Sequence, residues 1–245
     1  MGASSGARGL GRRVRDLILV TGVVTEVRMV AGRMRAIRVE GEGVGGLAWV
    51  AGQQVRVLVT DPLEIRNWRR PRDFLRTYSV WDLDGGLELR VLDHGDGPGA
   101  RWARGLAVGD EVTFNKPEGQ FVAQEGAYHL FVGEETAAVA FGPMIRGLGE
   151  ASVHGVVEVA GAEDRLEIGG EVRWVFRGER SAAESGGLVE AVRELQLPAE
   201  AGVAYVAGEA KTIQMVRDHL VRERGWPRRA VLTKPFWTPG KVGLE

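Results

Sequence analysis

Hydrophobic and polar residues alternate through the first half of the chain, a period of two that sends successive side chains to opposite faces of a strand. Val55, Val57 and Val59 share one face of QQVRVLVT, and Leu87, Leu89 and Val91 share one face of LELRVL. The runs ILVTGVVTEVRMV, MRAIRVE, RTYSVW and DEVTFN carry the same signal, with glycine-rich or charged turns between them. Short strands in such number, with few helices, predict an antiparallel β-barrel or sandwich over residues 16–122. One helix is expected here, GARWARGL, entered through Pro98, whose missing N–H suits a first helical turn.

Near residue 126 the rhythm changes. Strands AYHLFV, HGVVEVA, EVRWVF, GVAYVAG and AVLTK alternate with helices ETAAVAFGPMIRGL, SGGLVEAVRELQL and KTIQMVRDHLVRERG. Ile213, Val216 and Leu220 fall on one face of the last helix, and Gly225 stands where a C-terminal cap belongs. Strands alternating with helices predict a doubly wound parallel sheet, so residues 126–245 read as an α/β domain behind the barrel. Residues 1–15, basic and rich in glycine and serine, read as a disordered arm.

Composition narrows the chemistry. The 245 residues carry a net charge of −1, which argues against nucleic acid as a partner. Cysteine is absent, which removes iron–sulfur clusters, thiolate zinc sites and cysteine nucleophiles together. His94, His129, His154 and His219 lack metal-ligand spacing, so no metal site is expected. The apolar run Leu17–Val20 is too short for a signal-peptide core or a membrane span, and the cytoplasm is the expected compartment. Redox chemistry here would need a bound organic cofactor.

Arg76-Thr77-Tyr78-Ser79 lies in an expected strand, with Arg76 and Tyr78 on one face and Ser79 on the other. An arginine clamps phosphate, a tyrosine lies flat on an aromatic ring, and a hydroxyl meets the ring's polar edge. A surface arginine, a half-buried tyrosine and a strand serine explain the same residues. Downstream, Asp93-His94-Gly95-Asp96-Gly97-Pro98-Gly99-Ala100-Arg101-Trp102 ends a strand, lets backbone approach a ligand, and opens a helix whose free N–H groups suit an anion. A tight strand–helix turn with Trp102 in the core is the plainer alternative.

Gly41-Glu42-Gly43-Val44-Gly45-Gly46 fits the dinucleotide pattern G-x-G-x-x-G, but the helix that pattern requires does not follow, and the segment reads as a turn. Val132-Gly133-Glu134-Glu135-Thr136-Ala137-Ala138 and Ala207-Gly208-Glu209-Ala210 are strand–helix junctions of the kind where doubly wound folds bind ligands. The acidic pair there also reads as a favourable dipole interaction and nothing more.

Taken in order, R-x-Y-S, L-D-H-G-D-G-P-G-A-R-W-A, V-G-E-E-T-A, A-G-E-A and a tail with F-W resemble the siderophore-interacting proteins, over about residues 18–240. The resemblance implies an FAD-dependent ferric-siderophore reductase of the ferredoxin-reductase superfamily, monomeric, with NADPH, NADH or a reduced ferredoxin as donor. It implies that Tyr78 stacks on the flavin, Arg76 contacts its phosphates, Ser79 meets its ring edge, His94 and Gly95 line it, and Thr77 belongs to the same cofactor site. Gly97, Ala100, Arg101 and Trp102 would take the pyrophosphate and adenosine. Thr136 and Glu209 would stand near the nicotinamide. Lys234, Trp237 and Lys241 of the tail, with Arg69 of the loop before the flavin strand, are expected at the substrate mouth; no residue is assigned as catalytic. A general NAD(P)H:flavin or ferredoxin-type oxidoreductase on the same fold, or a non-enzymatic flavin- or siderophore-binding protein, would use the same motifs.

Overall fold

The computed structural model describes residues 19–59 and 75–240. The basic arm, Arg69 with Arg66 and Arg70, and Lys241 lie outside the described residues. Six strands, β1 (Leu19–Ala31), β2 (Met34–Glu40), β3 (Gln54–Leu58), β4 (Leu75–Asp82), β5 (Leu87–Leu92) and β6 (Glu111–Asn115), close an antiparallel barrel in the order β1-β2-β5-β4-β3-β6. The alternating residues fill its interior: Val24, Ile37, Val55, Val57, Leu87, Leu89 and Phe114 are buried together. Between β5 and β6 runs the helix α1 (Pro98–Gly105). The glycine-rich stretch after β2 is a turn, closed by Val44 N donating to Gly41 O at 2.9 Å.

Beyond the barrel, β7 (His129–Glu134), β8 (Val153–Val159), β9 (Glu171–Phe176), β10 (Val203–Glu209) and β11 (Val231–Trp237) form a parallel sheet ordered β11-β10-β7-β8-β9. Every residue of β7 and β10 is buried, as central parallel strands covered on both faces require. The helices α3 (Gly186–Arg193) and α4 (Ala210–Asp218) pack Leu188, Val192, Ile213 and Val216 on one face. The opposite face packs against α2 (Glu135–Gly147), whose far side meets the barrel.

Three expected boundaries move, the helix expected to reach Leu197 ending at Arg193. The last strand runs on to Trp237 instead of stopping at Lys234, so Lys234 and Trp237 sit on a strand and not in a tail after it. Pro235 lies inside β11, which is tolerated because β11 is an edge strand paired with β10 alone. The last helix gives way to a π turn over His219–Glu223 before Gly225 turns the chain at φ 73°.

Barrel and sheet share one buried core through α2. Trp81 of β4 packs on Gly142, where an added Cβ would stand 2.4 Å from the indole ring. Arg90 and Arg146 lie against that ring at 3.3 and 4.6 Å from its centroid. Nearer the β1–β2 turn, Arg33 Nη2 donates to Asp164 Oδ2 at 3.0 Å and to Glu135 Oε1 at 2.8 Å. Arg177 Nη1 completes the bridge on Glu135 Oε2 at 2.6 Å.

Candidate functional site

Two groups of the expected residues come together, in different halves. In the barrel, β4 brings Arg76 and Tyr78 against the start of α1. A Cβ built on Gly99 would lie 2.5 Å from the Tyr78 hydroxyl and 3.4 Å from Arg76 Cγ. Tyr78 stacks on Trp102 at 5.6 Å with the rings 24° apart. Burial holds the Tyr78 phenol well above its ordinary range, so it stays neutral. Thr77 points to solvent, as alternation along β4 requires.

Helix α1 opens at Gly97 with no side-chain hydrogen bond from its cap and no acidic residue in its first turn. Proline has no N–H at the next position, and Arg101 N donates to Gly97 O at 3.0 Å. The N–H groups of Gly99 and Ala100 belong to the first turn, whose donors lack intrahelical acceptors. Gly97 sits at φ −64° and a Cβ there would meet nothing within 4 Å. The preceding loop is tied down by Arg104, which donates to Asp93 Oδ1 at 3.1 Å, Gly95 O at 3.0 Å and Asp96 Oδ1 at 3.0 Å. His94 is exposed, its Nδ1 3.2 Å from Leu92 O. Arg104 escaped the motif reading, although Arg101 and Arg104 stand three apart on one helix and so share a face.

The second group lies at the carboxyl edge of the parallel sheet, where doubly wound folds place ligands. Glu134 ends β7, Glu209 ends β10, and Glu158 stands one residue from the end of β8. All three are buried, at 2%, 1% and 2% exposure. The Glu134 carboxylate folds back to cap α2, accepting from Thr136 N at 2.8 Å, from the Thr136 hydroxyl, and from Trp237 Nε1 at 3.0 Å. Burial, with Glu135 adding repulsion, pushes it up to about 7 despite those donors. Glu209 caps α4, accepting from Thr212 N at 2.8 Å and Glu184 N at 3.3 Å. Burial opposes its ionisation, but the N–H groups of Lys211, Thr212 and Glu184 outweigh it and hold the carboxyl below its ordinary range. Ser185 caps α3 through Leu188 N at 3.1 Å and donates to Glu158 Oε1, while Glu158 Oε2 has no partner. Burial raises Glu158 as well.

Thus Thr136, Glu209 and Trp237 meet along one edge, whereas Lys234 serves another neighbourhood. It is half-buried beside Arg56 and Glu118 of the barrel, themselves paired at 3.1 Å, and burial with the Arg56 charge lowers its pKa. Glu135 belongs to the acidic pair of the β7–α2 junction, whereas Arg33, Asp164, Arg177 and Glu158 have no local motif to announce them.

Two family models tile the chain: "Siderophore-interacting FAD-binding domain" over residues 23–121 and "Siderophore-interacting protein" over residues 126–240. Ferric vibriobactin reductase ViuB of Vibrio cholerae is 26% identical over 186 residues, covering 71% of this chain and 68% of the relative. A siderophore utilization protein from T. fusca superposes with a TM-score of 0.80 at 25% identity, over 93% of this chain and 95% of its own. The fold extends to ferredoxin-NADP+ reductase from Plasmodium falciparum, with a TM-score of 0.68 at 11% identity, over 89% of this chain and 96% of that one.

Proposed function

This chain belongs to the siderophore-interacting protein family, and we propose that it is an FAD-dependent ferric-siderophore reductase. The observation that carries the reading is the uncapped, acid-free start of α1 with Arg76 and Tyr78 packed beside it. These residues fit the cofactor. Gly99 and Ala100 would offer N–H groups to its pyrophosphate, and Arg76 and Arg101 would balance the charge. Tyr78 and Trp102 would supply flat apolar surface, with Thr77, Ser79, His94, Gly95 and Gly97 around them. When bound, FAD supplies two-electron uptake and one-electron delivery.

The protein's own task is then to position and to shield. No proton-transfer base or nucleophile is required for Fe(III) to take up one electron and become Fe(II). Hard oxygen ligands hold Fe(II) less strongly, so the iron is released. Lys234 beside Arg56 is proposed to attract an anionic ferric complex, with Arg69 and Lys241 in the same role, and Trp237, bonded to Glu134 at the sheet edge, is proposed to offer ring surface to the substrate. The donor is proposed to be NADPH or NADH, or a reduced ferredoxin. The residues at the sheet edge do not fit a dinucleotide pyrophosphate, because the chain's own side chains cap the helix starts there. A cytoplasmic monomer is proposed; among the described residues no helix is long and apolar enough to cross a membrane.

The test is direct. The purified protein is loaded with FAD, reduced anaerobically with dithionite, and mixed with a panel of ferric siderophores and an Fe(II)-specific chelator. Flavin reoxidation with matching Fe(II) capture is expected for at least one siderophore. A protein that retains no FAD, or whose reduced form leaves every ferric complex intact, refutes the proposal.

A further inference from the structure

The fold's nucleotide-binding crevice is built here from groups that exclude phosphate. A helix start attracts anions because its first N–H groups lack acceptors and its dipole is positive. At the carboxyl edge of this sheet all three helices turn a first-turn N–H onto a side chain of their own. Glu134 occupies the start of α2, Ser185 that of α3 and Glu209 that of α4. Two of these caps are glutamates, of which Glu209 is held ionised and Glu134 titrates near 7, and Glu158, with an unpartnered oxygen, lies beside them on β8. Two of the arginines that would offset this charge are engaged by carboxylates, Arg33 by Asp164 and Glu135 and Arg177 by Glu135, and Arg180 donates to Arg177 O at 3.0 Å. The segment before α3 also lies across the edge, Ser185 N donating to Thr212 Oγ1 at 3.0 Å and Thr212 Oγ1 donating to Ala182 O at 3.0 Å.

We infer that the carboxyl edge of this sheet does not hold a pyrophosphate, so a reduced nicotinamide that reaches the FAD is held by its ring end and gains nothing from its ADP half. The inference rests on the reductase reading, and it concerns this chain's own caps. In an enzyme that anchors the ADP half, that remote contact raises kcat/KM by roughly a hundredfold or more. Here the anchor is filled by Glu134 and Glu209.

The experiment uses the FAD-loaded protein in anaerobic stopped flow, with NADH, NADPH and the phosphate-free dihydronicotinamide riboside as donors. Second-order rate constants within about fivefold of one another are expected, and equal failure of all three to react supports the inference too. ADP-ribose at millimolar concentration is expected to leave the melting temperature unchanged. A preference of about a hundredfold for either dinucleotide, or a rise in melting temperature with ADP-ribose, overturns it. Glu134→Gly reopens the start of α2 and should tighten ADP-ribose binding at least about tenfold. A folded Glu134→Gly protein that binds ADP-ribose no better overturns the role given to the cap. Dithionite-reduced protein mixed with ferric siderophore runs alongside: failure there sinks the reductase reading without touching the nucleotide result.

Discussion

Two kinds of helix start are built into this chain. In the barrel, α1 opens at a glycine without a side-chain cap and without an acidic residue in its first turn. In the sheet, α2 and α4 are capped by glutamates and α3 by a serine. Apart from Pro98, which takes one N–H out of the first turn of α1, backbone chemistry is the same in all four, so most of the difference is made by the residue at each cap. An uncapped start keeps donors and positive potential available to a phosphate; a carboxylate cap uses the donors and reverses the local charge. Siting of the helices, which the fold shares with ferredoxin reductases, therefore says less about ligand than the identity of residues 97, 134, 185 and 209.

The sharpest way to break this contrast is to make α1 resemble α2. Gly97→Asp introduces a preferred cap residue at a position with ordinary φ and open space around it, so the fold should be kept. Its charge would oppose the proposed FAD pyrophosphate. At about 5 Å and an effective dielectric of about 20, one such pair costs about 3 kcal/mol, or roughly a hundredfold in affinity. Flavin retained after gel filtration, with apo-protein melting as the control for folding, measures it. Full flavin retention by Gly97→Asp would mean that the start of α1 does not receive the phosphates.

A second break concerns the closed side. Glu134 is pushed up to about 7 from the ordinary 4.5, by burial first and Glu135 second. Between those values the folded protein keeps a proton that the unfolded chain has released. Stability therefore falls as pH rises through this window, by up to about 3 kcal/mol, and levels off above it. Glu134→Gln carries no titrating group and should remove most of the decline, Glu158 leaving a smaller slope in the same direction. Urea midpoints at pH 5 and pH 8 for both proteins decide the matter. Parallel pH dependence would place the titration elsewhere.

The contrast was half legible in the sequence. Period-two alternation located the barrel strands, and Pro98 with its glycines located α1, because strand, turn and helix all lie within a few residues of one another. Ser185 before Gly-Gly-Leu carries a standard cap signal. Glu134 and Glu209 do not, since glutamate is not among the preferred caps, and the Glu134-Glu135 pair read as a dipole effect. The link from Arg33 to Asp164 spans 131 positions and that from Trp237 to Glu134 spans 103, with no local pattern to join them. Pro235 hid the end of β11 because a proline argues for a strand's end until the strand is known to lie at the edge.

The open side can also be weakened without closing it. Arg76→Ala removes a cation that packs beside Gly99, and a hydrogen bond to a charged group contributes about 1.5–3 kcal/mol. Flavin affinity should fall roughly ten- to hundredfold. Tyr78→Ala removes ring contact that also rests on Trp102, and its effect should be smaller, about 0.5–1.5 kcal/mol. Fluorescence titration of apo-protein with FAD ranks the two. Equal affinities for both variants and the parent protein would move the cofactor away from β4.

The smallest effect separates the two properties of a cap, occupying donors and adding charge. Gly97→Ser has the same room as Gly97→Asp and supplies a hydroxyl acceptor to the first turn without charge. The apo-protein should gain only a few tenths of a kcal/mol, because glycine is already an acceptable cap. FAD then competes with one neutral hydrogen bond, so affinity should fall by about 1 kcal/mol or less, a few-fold change. If charge is what closes α2 and α4, the serine variant stays near the parent and the aspartate variant falls far below it. If occupation of the donors is enough, serine and aspartate weaken FAD alike, and α3, capped by Ser185, is then as firmly closed to phosphate as its two acidic neighbours. Parallel FAD titrations of the two variants, repeated at low and high salt, distinguish these outcomes, because only the charge contribution is screened.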